Sequence, residues 1–119
     1  MNKSKAGWQR WLNAMKYSYA GFLAAWRNEA AFREEMIIAI VFIPLALWLG
    51  KTRIEQALLI GSLLLVLVVE LLNSAIEAMV DLTSPEFHVL AGRAKDMGSA
   101  AVFGSLMLAT VIWCLVLFI

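Results

Sequence analysis

The amino-acid sequence predicts an all-α membrane protein, with one N-terminal amphipathic interfacial helix followed by three transmembrane helices. Three observations carry that expectation. Hydrophobic residues make up 62% of the 119-residue chain and charged residues only 16%, a balance unlike that of a soluble globular domain. Long apolar runs follow an aromatic-rich amphipathic start. One of those runs, residues 57–80, holds Glu70, Asn73 and Glu77 in otherwise almost wholly apolar surroundings.

The first element spans residues 7–27. Trp8, Trp11, Leu12, Met15, Tyr19, Phe22, Leu23 and Trp26 recur at steps of three and four. Arg10, Asn13, Lys16 and Tyr17 lie off that face. Such a helix lies in the plane of a membrane surface, with its tryptophans at the headgroup boundary. The alternative is a surface helix packed on a soluble core. The first 30 residues show no compact apolar stretch with a small-residue cleavage site, so membrane retention is expected from uncleaved spans.

The first span is expected at about residues 30–49. Its apolar part, 36–49, is shorter than the roughly 20 residues a crossing needs, so Arg33, Glu34 and Glu35 are expected at the interface. Pro44 removes one backbone donor, which bundled membrane helices tolerate. Trp48 marks the far boundary, and residues 50–53 (GKTR) form a tight polar turn. The second span is expected at about 55–81. It ends at DLTSP (81–85), where Ser84 and Pro85 read as the start of another helix. The third, at about 90–119, begins with the polar stretch LAGRAKDMGS (90–99). The whole chain reads as one domain.

Orientation follows from Lys and Arg. Lys3, Lys5, Arg10, Lys16, Arg27 and Arg33 precede the first span, and Arg93 and Lys95 precede the third. Only Lys51 and Arg53 lie in the other loop. The amino terminus and residues 81–99 are therefore expected on the cytoplasmic side. The net charge of +1 gives no case for a nucleic-acid partner. Cys114 is the only cysteine, which excludes an intrachain disulfide and a cysteine metal cluster.

Glu70, Asn73 and Glu77 share one helical stripe, within roughly 60° of arc and about 10 Å of length. Ionised carboxylates are costly in hydrocarbon and persist there only with a partner, a proton, a metal or a task. Near the same cytoplasmic depth lie Glu29, Arg33, Lys95, Asp96 and Ser99. Paired carboxylates suit a hard divalent cation such as magnesium, and a lysine beside them suits a phosphate. The deeper Glu70 suits a base acting on a group arriving from the lipid. Each feature also has a plainer explanation. Glu29 and Arg33 are spaced for an i,i+4 ion pair. Lys95 and Asp96 suit a solvated helix start. Gly92, Gly98 and Gly104 suit close helix packing, and His88 a surface connector. The stripe itself suits an interhelical hydrogen-bond network in an oligomer. No P-loop, kinase glycine loop, HRD or HExxH is present.

The strings NEAAFREE (28–35), VELLNSAIEAMVD (69–81) and GRAKDMGSAAV (92–102) resemble the small bacterial integral-membrane diacylglycerol kinases. The resemblance runs through nearly the whole chain. It implies a homotrimer in the bacterial inner membrane, amino terminus cytoplasmic and carboxyl terminus periplasmic, with composite active sites at the cytoplasmic boundary. It implies transfer of the ATP γ-phosphate to diacylglycerol, with Mg2+ as cofactor. Glu70 matches the base, and Glu29 and Glu77 the magnesium carboxylates. Lys95 matches the phosphate-binding lysine, Asp96 beside it, and Asn73 an orienting asparagine. Arg10, Tyr17, Glu86 and His88 match positions near the nucleotide. Arg10, Ala31, Arg33, Glu35, Trp48, Glu70, Ser99 and Trp113 match positions near the lipid. The amphipathic helix departs from the family pattern, with Asn13, Ala20 and Leu23 where members can carry basic residues. Two other functions fit parts of the sequence: a kinase of another lipid alcohol such as undecaprenol, and a small proton-coupled transporter built on the intramembrane glutamate.

Overall fold

The structure, a computed structural model, describes residues 7–83 and 88–119. These form four α-helices: α1 (Gly7–Asn28), α2 (Ala30–Leu49), α3 (Arg53–Thr83) and α4 (Val89–Phe118). The described residues contain no strand. Ser84 and Pro85, expected to open a helix, lie outside the described residues, as does Glu86. α4 begins after His88, whose Nδ1 accepts the Leu90 N–H at 3.0 Å and so caps the helix. The polar stretch 90–99 is thus the first part of one continuous helix.

α1 and α2 are separated by a single residue, Glu29, in extended conformation (φ −119°, ψ 106°). The joint is closed by Arg33. Its Nη1 donates to the carbonyls of Trp26 (2.8 Å) and Arg27 (3.3 Å), two of the groups that the end of α1 leaves without helical partners.

The α2–α3 turn is fixed by its own side chains. Thr52 Oγ1 accepts the Glu55 N–H at 3.1 Å, and Glu55 Oε1 accepts the Lys51 N–H at 3.2 Å. This is a close variant of the Thr-x-x-Glu capping box. Gln56 Nε2 donates back to the carbonyls of Leu47 (3.0 Å) and Gly50 (3.4 Å). Gly50 has a negative φ, so its need for glycine is one of space: an added Cβ would lie 2.7 Å from the Gln56 side chain.

α3 is the hub. It packs along α4 most extensively, then along α2, while α1 rests on α2 and touches α3. Phe32, Ala39, Leu67 and Ala25 form the centre, with Met36, Ile43 and Leu71 against it. Large apolar side chains such as Ile40, Leu72, Phe103 and Met107 remain on the outside. An apolar exterior of this extent suits a lipid or oligomeric environment. α3 and α4 are each long and apolar enough to cross a membrane, with mean hydropathy of 2.3 and 2.4. At 1.5 Å per residue α3 reaches about 46 Å, well beyond the roughly 30 Å hydrocarbon core. α2 keeps Arg33, Glu34 and Glu35 in its first two turns.

Candidate active site

The stripe on α3 turns inward. Glu70 is 5% exposed, Asn73 is 9% exposed, and Glu77 is half-buried. Asn73 Nδ2 donates to Glu77 Oε1 at 3.4 Å, one turn along the helix. The Asn73 Oδ1 is buried with no hydrogen-bond partner.

Glu35 of α2 meets Glu70 across the helix contact, within hydrogen-bonding reach. Glu35 Oε2 is likewise buried without a partner. Glu29 and Glu77 are close enough to act on Glu70 through their charge. Glu70 thus has Glu35 of α2 against it, with Glu77 about two turns along α3 and Glu29 of the α1–α2 joint near enough to be felt as charge. Among the described residues, no three acidic, histidine or cysteine side chains converge closely enough to hold a metal ion by themselves.

Lys95 brings α4 to this group. Its Nζ lies 2.7 Å from Asp81 Oδ1, on a pair exposed to solvent. Glu77 also acts on Lys95 through its charge. Asp81 follows Glu77 by one turn and continues the Glu70 stripe to the helix end.

Arg33 does not pair with Glu29. Its guanidinium caps α1 instead, and its backbone N–H donates to the Glu29 carbonyl at 3.2 Å. The i,i+4 spacing is real, but the orphan carbonyls of α1 are nearer and take the donor, leaving the Glu29 carboxylate to the acidic group.

Other positions singled out from the sequence lie around this centre or apart from it. Asp96 and Ser99 are exposed on the first turns of α4, and Ala31 is exposed at the start of α2. Arg10 and Tyr17 stand two turns apart on the exposed α1 helix. His88 is engaged through Nδ1 as the α4 cap. Trp48 and Trp113 belong to the other half of the molecule. Trp48 is exposed at the end of α2. The Trp113 Nε1–H donates to the Leu59 carbonyl and to Ser62 Oγ, both at 3.2 Å. Leu59 lies about 16 Å along α3 from Glu70.

Two recesses flank the carboxylates. One, of about 630 Å3, opens between α1 and α3, with small residues Gly21, Ala24, Ser74 and Ala78 on its walls and Glu29 among them. The other, of about 340 Å3, is an apolar groove between α2 and α4, with Glu35 in its lining and Phe42, Leu106 and Trp113 along it. The Glu35–Glu70 contact and the Lys95–Asp81 pair are the features that sequence spacing alone did not give. Glu35 and Asp81 were each visible as charges beside apolar runs, but their partners sit on other helices.

Comparison with known proteins gives one answer. The family model described as prokaryotic diacylglycerol kinase matches residues 16–117. The chain is 55% identical over 115 residues to the diacylglycerol kinase of Pseudomonas aeruginosa, covering 97% of this chain and 94% of that one. It is 48% identical over 117 residues to the diacylglycerol kinase of Escherichia coli K12, covering 98% and 96%. It is 50% identical over 107 residues to the diacylglycerol kinase of Haemophilus influenzae, covering 90% and 91%. With its buried Glu70–Asn73 stripe and this similarity along nearly its whole length, the chain belongs to the prokaryotic diacylglycerol kinase family.

Proposed function

We propose that this chain is an ATP-dependent lipid kinase that converts diacylglycerol to phosphatidic acid at the cytoplasmic face of a bacterial inner membrane. The observation that carries the reaction centre is the buried Glu70 and Asn73 on one stripe of α3, with Asn73 donating to Glu77 and the Lys95–Asp81 pair one turn further along. The nucleotide comes from the aqueous side, with the recess between α1 and α3 as room for it. Arg10, Tyr17, Glu86 and His88 are assigned to its neighbourhood, with Lys95 and Asp96. The lipid comes sideways from the bilayer. The apolar groove that runs from Glu35 to Trp113 suits an acyl chain, and Ala31, Arg33, Ser99 and Trp48 are assigned to the lipid side.

Phosphoryl transfer asks for an aligned nucleophile and for neutralised phosphate oxygens, more than for covalent help. The lipid hydroxyl oxygen forms a bond to the γ-phosphorus as the bond from that phosphorus to the β,γ-bridging oxygen breaks. Glu70 accepts the hydroxyl proton. Its burial beside Glu35 keeps water from competing for that proton. Asn73 holds Glu77 in place, and Lys95 leaves the exposed Asp81 for the phosphate. Glu29 and Glu77 are hard oxygen donors of the kind magnesium takes, and they are the residues that would hold it. The chemistry such an ion would supply there is neutralisation of phosphate charge.

α2 is assigned as the first span, joining α3 and α4, and the assembly as a homotrimer, amino terminus inside. The apolar exterior of all four helices and the eight-to-two division of basic residues support this.

The test is a radiolabelled ATP assay on purified protein in mixed micelles. Diacylglycerol and undecaprenol are offered separately, with and without magnesium. Label is expected in phosphatidic acid and only with magnesium present. Label in undecaprenyl phosphate alone would move the acceptor to another lipid alcohol. No label with either lipid, but proton flux in liposomes, would replace the kinase by a transporter.

A further inference from the structure

Gly98 is buried on α4, one turn after Lys95. A Cβ at this position would overlap Asn73 Oδ1 and lie 3.2 Å from its Cγ and 3.9 Å from its Cβ. Gly21, Gly61 and Gly104, also helical, have nothing within 4 Å of such a methyl. The α3–α4 contact therefore needs a missing side chain at Gly98 for the sake of one amide. That amide is 9% exposed, and its oxygen, lacking a hydrogen-bond partner, rests against Gly98. Its nitrogen is turned the other way and donates to Glu77 Oε1.

We propose that Gly98 is a positioning residue for phosphoryl transfer, which by lacking a side chain lets the Asn73 amide lie against α4 with its N–H2 directed at Glu77. The inference rests on the assignment of Asn73 and Glu77 to the reaction centre. A methyl at residue 98 leaves two escapes. The Asn73 side chain rotates and Glu77 loses its donor, or α4 moves off α3 and carries Lys95 with it. Both alter how the site holds metal and nucleotide.

The sign of the stability change separates this role from ordinary helix packing. Alanine in place of glycine normally strengthens a helix interior, by restricting the unfolded chain and by better helix propensity. At this contact the overlap reverses that sign. Removing the Asn73 amide should restore it.

The experiment is a cycle of Gly98→Ala, Asn73→Ala and the double variant. Three quantities are read: the magnesium activation midpoint, the KM for ATP, and the rise in thermal midpoint on adding magnesium and ATP, which needs no turnover. Gly98→Ala alone is expected to weaken magnesium and ATP use by roughly tenfold or more, the size found when an orienting partner of a ligand is lost. It should also lower the thermal midpoint of the free protein. In the Asn73→Ala background the same change is expected to cost nothing further and to raise the thermal midpoint, since the two sites act as one unit. Losses that multiply in the double variant would show that Gly98 acts on helix packing and not through Asn73. Normal metal and ATP dependence in Gly98→Ala, with Asn73→Ala impaired, overturns the positioning role and leaves the site assignment standing. A fully active Asn73→Ala overturns both.

Discussion

The two ends of α3 treat polar groups in opposite ways. At the Arg53 end, every polar side chain just described has a partner. Gln56 closes on the Leu47 and Gly50 carbonyls, Thr52 and Glu55 cap the helix, and Ser62 takes the Trp113 indole N–H. At the Thr83 end, Glu70 lies buried against a second carboxyl group. The two buried side-chain atoms without partners among the described residues, Glu35 Oε2 and Asn73 Oδ1, are both here. Buried polar groups are normally satisfied, and an orphan costs about 1–3 kcal/mol. One end of the helix is thus built as a finished joint. The other leaves hydrogen-bonding capacity unmatched among the described residues.

Substitutions at the two ends should therefore fail differently. The largest effect is expected from Glu70→Gln. The amide keeps the size but cannot take a proton, so the rate should fall by roughly 10²–10⁴-fold. ATP affinity and oligomeric state should stay as they were. The comparison breaks if the rate survives, because glutamine would then be serving as a mere bridge between helices.

Next come Glu29→Gln and Glu77→Gln, measured by titrating magnesium at fixed ATP. Each removes one charge from the shared group. A hydrogen bond to a charged group is worth about 1.5–3 kcal/mol, so each activation midpoint should rise roughly 10–100-fold. Normal magnesium dependence in either variant removes that residue from the metal.

The smallest effect belongs to the finished end. Trp113→Phe keeps an aromatic wall on the groove but loses the N–H that reaches Leu59 and Ser62. Stability should drop by about 1 kcal/mol, seen in the thermal midpoint, with turnover and magnesium dependence unchanged. A raised KM for diacylglycerol with normal stability would instead make Trp113 a contact to the lipid head region, and the contrast between the two ends would weaken.

The helices and the inward stripe were legible in the residues for one reason: both follow from spacing within a helix. Glu70, Asn73 and Glu77 are three and four apart, so their common face is fixed before any packing. Thr52 and Glu55 are spaced as a capping box, so the cap that closes the 50–53 turn is also legible in the residues. What crosses between helices was not legible. Glu35 finds Glu70, Lys95 finds Asp81, and Gly98 finds Asn73 only once the helices take their relative rotation and height. Arg33 shows the limit most clearly. Its spacing from Glu29 is ideal for an ion pair, but the chain turns between α1 and α2 and presents two unpaired carbonyls first. Paired carboxylates suggest a hard cation, but which residue is assigned to metal, nucleotide or lipid rests on family resemblance, because a single carboxylate near a membrane surface carries no mark of what it binds.

The Arg33 clasp has a mechanical side. Glu29 is the only residue between α1, whose tryptophans are exposed, and α2, which packs on α3, and Arg33 of α2 is tied by two hydrogen bonds to the Trp26 and Arg27 carbonyls of α1. Any tilt or change of depth of the tryptophan-bearing helix is then delivered to the backbone of a carboxylate assigned to the metal. With α1 at the headgroups, as its tryptophans suggest, the joint at Glu29 would be where the membrane surface and the helix bundle are mechanically coupled.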